Sequence, residues 1–251
     1  MIELKTSKWR SLAHTEVPAV MAAAMVALII VIPANEVLRA QTAGGAYPKM
    51  AAIDEYLMDA DAEAALARSA APESVSKDAE VLVLDRTGYR TAIQGHNGFV
   101  CAVQRSWTAG VDDPEFWNPK LRAPTCFNAA AARSFLPRVI MRTRLVLAGK
   151  SIEQLCAEMK AAFDANQIPP IEQGAMAYML SKQGYLNDRA GHWRPHVMVY
   201  VPEREPAWWG ANLPGSPVFG TADKTDRVTT FFIPVARWSD GSADPDHNGS
   251  H

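Results

Sequence analysis

The chain has 251 residues, 48% of them hydrophobic and 21% charged, with 17 Pro and 15 Gly. That is material for one large or two small cores, and it excludes disorder, collagen or coiled coil as the overall description. Twenty-five Lys and Arg against 27 Asp and Glu leave a net charge of −2, too weak a basic field to hold a nucleic-acid backbone, so no nucleic-acid partner is expected.

At the N-terminus Lys5, Lys8 and Arg10 precede an unbroken apolar run from Ala19 to Ile32, and Pro33 and polar residues follow. This is the layout of a secretory signal peptide, and the run is shorter than the roughly 18–20 residues a membrane-spanning helix needs. Small residues at Ala34 and Ala40 suit a cut, and cleavage near Gln41 is expected, giving a leader over 1–40 and no membrane contact afterwards. The expected address is periplasmic or secreted. In that oxidising setting three cysteines imply one bridge and one free thiol. Cys156 shares an apolar helical stripe with Ile152, Leu155, Met159 and Phe163, which suits a buried thiol and leaves Cys101–Cys126 as the favoured pair, with Cys101–Cys156 the alternative.

Residues 50–70 carry the spacing Ile53, Leu57, Ala60, Ala64 of a helix with an acidic outer face, ended by Pro72. Strands are expected over 79–85, 89–94 and 99–107, and their Gly-rich joints predict an antiparallel meander. Residues 108–127 hold three prolines with Phe116 and Trp117 and predict an ordered loop. Asn128 caps a short helix that Pro137 ends. From Arg138 to Leu147 alternation predicts a strand with a solvated basic face of Arg138, Arg142 and Arg144. Ser151 and Gln154 form a capping box that opens a helix to about Asn166. Strands follow over 175–180, 196–201 and 229–236; Pro234 puts the last at an edge or a bulge. Residues 239–251 are polar and predict a disordered tail. The sum is one α+β domain over 41–238: a mostly antiparallel sheet of about seven strands with two or three helices packed on one face.

Few motifs carry chemistry. Gly149-Lys150-Ser151 lies where a phosphate loop would end, but Arg144 replaces the glycine such a loop requires. No nucleophile elbow, SxxK or HExxH sequence is present. The densest stretch is 181–202. His192 and His196 there form a candidate metal pair, although four extended residues span roughly 13 Å, so the chain would have to bend at Pro195 and a third ligand would have to come from Asp188, His96 or the first helix. Ser181, His192 and Asp188 form a candidate nucleophile, base and orienting acid, with Asp188 and His192 the catalytic pair. The bland alternatives are a hydrogen-bonded strand histidine at His196 and a loop residue at His192.

The segments NGFVCAVQRSW, FWNPKLRAPTCFN, YMLSKQGYLND, GHWRPHVMVYVP and WWGANLPGSPV together resemble a group of uncharacterised exported bacterial proteins, over most of residues 50–240. The resemblance implies a bacterial source and an exported address and supplies no catalytic residue. Two functions remain in view. The first is a periplasmic small-molecule binding or interaction domain whose pocket gathers Tyr178, His196, Met198 and Tyr200 with Trp193, Trp208 and Trp209. The second is a hydrolase or metal-dependent enzyme centred on Asp188, His192 and His196. The sequence names no cofactor, no ligand and no oligomeric state.

Overall fold

A computed structural model describes residues 47–188 and 191–245. The leader over 1–40 and the end of the tail, 246–251, lie outside the described residues. The elements are α1 (Ala60–Arg68), α2 (Glu73–Ser76), β1 (Glu80–Asp85), β2 (Gly88–Ile93), β3 (Val100–Gln104), β4 (Ala123–Phe127), α3 (Ala129–Ser134), α4 (Leu136–Leu147), α5 (Ile152–Asp164), β5 (Met176–Met179), β6 (His196–Pro202), β7 (Phe219–Asp223) and β8 (Val228–Pro234). The eight strands form one sheet in the order β2-β1-β3-β4-β5-β6-β8-β7, antiparallel throughout except for β1 against β3. The α+β architecture is therefore as expected, with one strand more.

Several local rules hold. Asn128 accepts from the Ala131 amide to cap α3, and Ser151 and Gln154 close both halves of the capping box on α5. Other expectations fail for identifiable reasons. The first helix is shorter than its apolar spacing suggests: a 3-10 turn covers Ile53–Glu55, and α1 starts only after Asp59, whose carboxylate accepts from the Asp61 and Ala62 amides. The meander is corrected too, because β3 lies beside β1 and runs parallel to it. The link from β2 crosses the start of β1, where a Cβ on Gly95 would fall 2.0 Å from the Glu80 amide nitrogen, so only glycine fits the crossing.

The predicted strand at 138–147 is α4. Its buried residues include Leu136, Val139, Arg142, Thr143 and Val146, whose spacings of three and four follow a 3.6-residue period that coexists with the alternation; Arg138 and Leu145 widen the same face, and Pro137 in its first turn starts the helix rather than ending the one before. The basic face is likewise corrected: Arg138 and Arg142 are fully buried. β4 went unpredicted because it contains Pro124; its pairing with β5 involves only Cys126 and Phe127, so the proline sits beyond that ladder. β8 is not an edge strand. β7 pairs with it only from Val228 to Phe232, which leaves Pro234 past the end of that pairing. Residues 239–245 fold back, with the Ser239 amide on the Leu180 carbonyl and the Asp244 amide on the Ala236 carbonyl, so this part of the expected tail belongs to the domain.

The helices divide between both faces of the sheet, which corrects the one-sided packing. On the α4 face, Leu82, Ala102, Phe127, Ala177, Met198 and Tyr200 pack with Ala131, Leu136 and Val139. Tyr56, Trp107, Leu145, Leu155 and Met159 extend this layer under α5. On the α1 face, Val81, Val83, Cys101, Val103 and Cys126 pack with Ala64, Leu66 and Ala67. Cys101 and Cys126 are direct cross-strand partners on β3 and β4 and form a disulfide, while Cys156 is free and half-buried. The bridge closes a sequence separation of 25 residues. Cys101→Ser with Cys126→Ser is expected to lower the unfolding free energy by about 3–4 kcal/mol, read as a shifted urea midpoint.

Candidate functional site

Strand alternation decides which of the singled-out residues can meet. On β6 the side chains of His196, Met198 and Tyr200 point to the α4 face and are buried, while Val197, Val199 and Val201 point to the α1 face and are half-buried. Tyr178 pairs in register with Val197, so it stands on the α1 face, across the sheet from His196 and Tyr200. The expected common pocket is therefore corrected: the sheet itself separates its members. Tyr200 is stacked on Phe135 at 3.8 Å between ring centroids, and Tyr178 stacks on Phe99 at 6.3 Å. Trp209 stacks on Phe231, on the α1 face, at 4.4 Å, whereas Trp193 stacks on Phe232, on the α4 face.

The predicted catalytic set does not converge. Ser181 Oγ lies 2.6 Å from Ser69 Oγ and accepts from the Gln183 amide. His192 is exposed, with Nδ1 3.0 Å from the Trp193 carbonyl and its ring edge-on to Trp238. Asp188 accepts from Tyr47 Oη (2.5 Å), Lys120 Nζ (3.1 Å) and Tyr185 Oη. These donors hold its carboxyl down at about 2, the Tyr185 hydroxyl contributing most, and the same bond pushes the Tyr185 phenol up to about 12. Asp188 is thus a three-donor latch joining Tyr47, the 118–122 loop and Tyr185, and none of these three partners is a histidine. Among the described residues no group of three His, Cys, Asp or Glu side chains could hold a metal ion, which leaves His192 and His196 without the third ligand they require.

His196 is a buried strand histidine. Its Nδ1 lies 2.7 Å from the Arg194 carbonyl, which keeps the proton on Nδ1, and among the described residues Nε2 has no hydrogen-bond partner. Trp193 and Phe232 flank the ring, at 5.2 and 5.6 Å between centroids. Burial lowers the affinity of this imidazole for a proton. Below pH about 6.5 the unfolded chain therefore takes up a proton that the folded chain refuses. His196→Phe should abolish this contribution: between pH 7.5 and 5.5, the wild-type urea midpoint should fall relative to that of the variant. Equal shifts in the two proteins would contradict the assignment.

The α1 face contains a concavity that the sequence did not reveal. It is open, has a volume of about 450 Å³, and is lined by Pro72, Leu180, Val235, Ala236, Arg237, Trp238, Ser239 and Gly241. Leu180 and Val235 extend the α1-face rows of β5 and β8 past the strand ends, and the folded-back 239–245 segment forms the wall. Most of the lining is apolar. The exception of greatest chemical interest is Arg237, whose Nη1 donates to the Gly241 carbonyl (2.8 Å) at an exposed position. The available signal was Trp238, an isolated aromatic at the head of a polar stretch; it is buried. A second, smaller concavity of about 290 Å³ lies between Cys156, Lys160, Lys224, Thr225 and Arg227.

No helix among the described residues is long and apolar enough to cross a membrane. Comparison with known proteins finds no matching family model, no matching curated protein and no matching solved structure.

Proposed function

We propose that the protein is an exported bacterial binding domain for a small, largely apolar ligand carrying one negative group, held in the concavity beside Leu180 and Val235. The observation that carries this reading is the lining itself: apolar Pro72, Leu180, Val235, Ala236 and Trp238 together with one charged side chain, Arg237. A volume of about 450 Å³ lies in the range of small-molecule sites, which are mostly apolar with a few polar groups that orient the ligand. A guanidinium offers a carboxylate paired donors in a fixed plane. The signal-peptide pattern supports an exported, periplasmic or secreted address, and the Cys101–Cys126 bridge is in keeping with an oxidising compartment.

Octanoate is a suitable probe, with octanol as its uncharged control. Trp238 lines the concavity, so binding should alter tryptophan emission saturably with octanoate and much more weakly with octanol. Failure of octanoate to change emission or raise the thermal midpoint at millimolar concentration would sink the reading.

A further inference from the structure

The turn joining β7 to β8 sorts its charges by sign. Its two flanking carboxylates are spent inward, because Asp223 and Asp226 both pair with the buried Arg142 guanidinium. Its two cations, Lys224 and Arg227, are exposed and line the smaller concavity, to which helix α5 adds Lys160 and Cys156. Those two are four residues apart and share one face of the helix. Cys156 Sγ lies 3.9 Å from Thr225 Oγ1, which brings the helix and the turn together. The lining is thus three cations, one hydroxyl and one thiol, with no carboxylate.

Three positive groups around about 290 Å³ repel one another, and the chain offsets this only in part. Asp164 pairs with two of them: its Oδ1 accepts from Arg227 Nη2 at 2.6 Å and its Oδ2 accepts from Lys160 Nζ. Asp164 does not itself line the concavity, and the Lys224 ammonium pairs with no acid among the described residues. Three cations less one carboxylate leave two positive charges beside an open space. Arg227 carries a further sign. Its φ of 50° lies in the left-handed region, where glycine or asparagine would hold the same turn without strain. What arginine adds there is a guanidinium, and its stacking over the Phe163 ring at 5.1 Å fixes where that group stands.

We propose that this concavity binds a phosphate dianion, free or carried on a small organic ester. The two unbalanced charges match a dianion, whereas a monocarboxylate would neutralise only one of them. A guanidinium fork and two ammonium groups are donors that suit phosphate oxygens, and the Thr225 hydroxyl adds a neutral one. Size agrees as well. The volume stands at the lower end of small-molecule sites, which leaves room for a phosphoryl group with a few carbon atoms. The site shares no residue with the concavity beside Leu180 and does not rest on the ligand proposed there.

Cys156 gives the site its own reporter, because it lines the concavity and is the free thiol when Cys101 and Cys126 are bridged. Its alkylation by iodoacetamide, an uncharged reagent, is followed by intact mass with sodium phosphate, glycerol 3-phosphate or sodium chloride at matched ionic strength. Phosphate or its ester at about 10 mM should slow the reaction saturably, by about fivefold or more, while chloride, which only screens, has little effect. Tighter protection by glycerol 3-phosphate identifies a site for esters, and tighter protection by phosphate a site for the free ion; either upholds the proposal. Lys224→Gln removes an ammonium without an acidic partner in the fold, and Arg227→Asn suits the turn. Each should weaken protection by about fivefold or more with unchanged circular dichroism. Equal slowing by chloride and phosphate, or none by either phosphate compound, would overturn the proposal, as would protection that persists undiminished in either variant.

Discussion

Arg142→Met should cost about 3–5 kcal/mol of stability, lowering the thermal midpoint by roughly 6–20 °C. Arg142 is fully buried on α4, and its guanidinium joins that helix to two other segments. Nη2 lies 2.8 Å from Asp226 and 3.3 Å from Asp223 in the β7–β8 hairpin, and Nη1 donates to the Trp107 and Ala109 carbonyls in the loop after β3. Burial raises the Asp226 pKa, with Arg142 acting in the opposite sense. Removing the arginine leaves that carboxylate buried without its counter-charge, which costs far more than an exposed ion pair is worth. The double variant Arg142→Met, Asp226→Leu should recover much of the loss, because replacing both charges by apolar groups removes the orphan. A single variant as stable as the wild type would show that the network carries no net energy.

Arg105→Met should have a comparable effect with a distinct pH signature. Arg105 and Glu63 are both fully buried, with Nη2 2.9 Å from Oε1, and the same carboxylate oxygen accepts from the Leu84 amide. Nε of Arg105 donates to the Tyr56 carbonyl, which ties α1 and the 3-10 turn before it to the end of β3. Burial raises the Glu63 pKa above its ordinary value, and Arg105 opposes that rise. Without the arginine the folded-state value climbs further. A carboxylate whose folded pKa exceeds its unfolded one favours folding while protonated and loses that advantage as pH rises through the window between the two. The deficit of Arg105→Met against wild type should therefore be largest, about 3–5 kcal/mol, near neutral pH and should shrink toward pH 5. A deficit independent of pH would mean that packing, and not charge, is lost.

Arg138 and Arg142, both fully buried, show what sequence periodicity left hidden. Arg138, Arg142 and Arg144 satisfied a two-residue alternation, and an arginine is ordinarily a surface residue, so a solvated strand was the economical reading. Tertiary partners reversed it. Carbonyls from Trp107, Ala109, Pro169 and Asp226 accept from Arg138 and Arg142 and make their burial tolerable, and those partners are 31 to 88 residues distant in sequence. Local signals were reliable where the physics is local: the Asn128 cap, the Ser151 capping box, the β1–β2 hairpin and the β6 alternation all stand. The bridge was legible by elimination among three cysteines.

The site was less legible. Residues 181–202 are rich in chemistry-bearing side chains, yet β6 parity sends Tyr178 and His196 to opposite sides of the sheet, and Asp188 is engaged by two phenols and a lysine. The concavity instead joins segments around residues 72, 180 and 235–241, three regions distant in sequence. Composition marked only the end of the last region, from residue 239, as tail, and Trp238 immediately before it was the apolar warning. Val197, Val199 and Val201 were visible as an apolar set from the start; which helix, if any, lay over them depended on where α1 packs.

Isothermal titration of octanoate into Arg237→Gln and Asp188→Asn, side by side with wild type, tests the location of the site most directly. A bidentate guanidinium–carboxylate contact predicts that Arg237→Gln weakens binding by about tenfold or more, while Asp188→Asn binds as the wild type does. The reverse pattern, with binding lost in Asp188→Asn and intact in Arg237→Gln, would return the site to the 181–202 stretch and contradict the account.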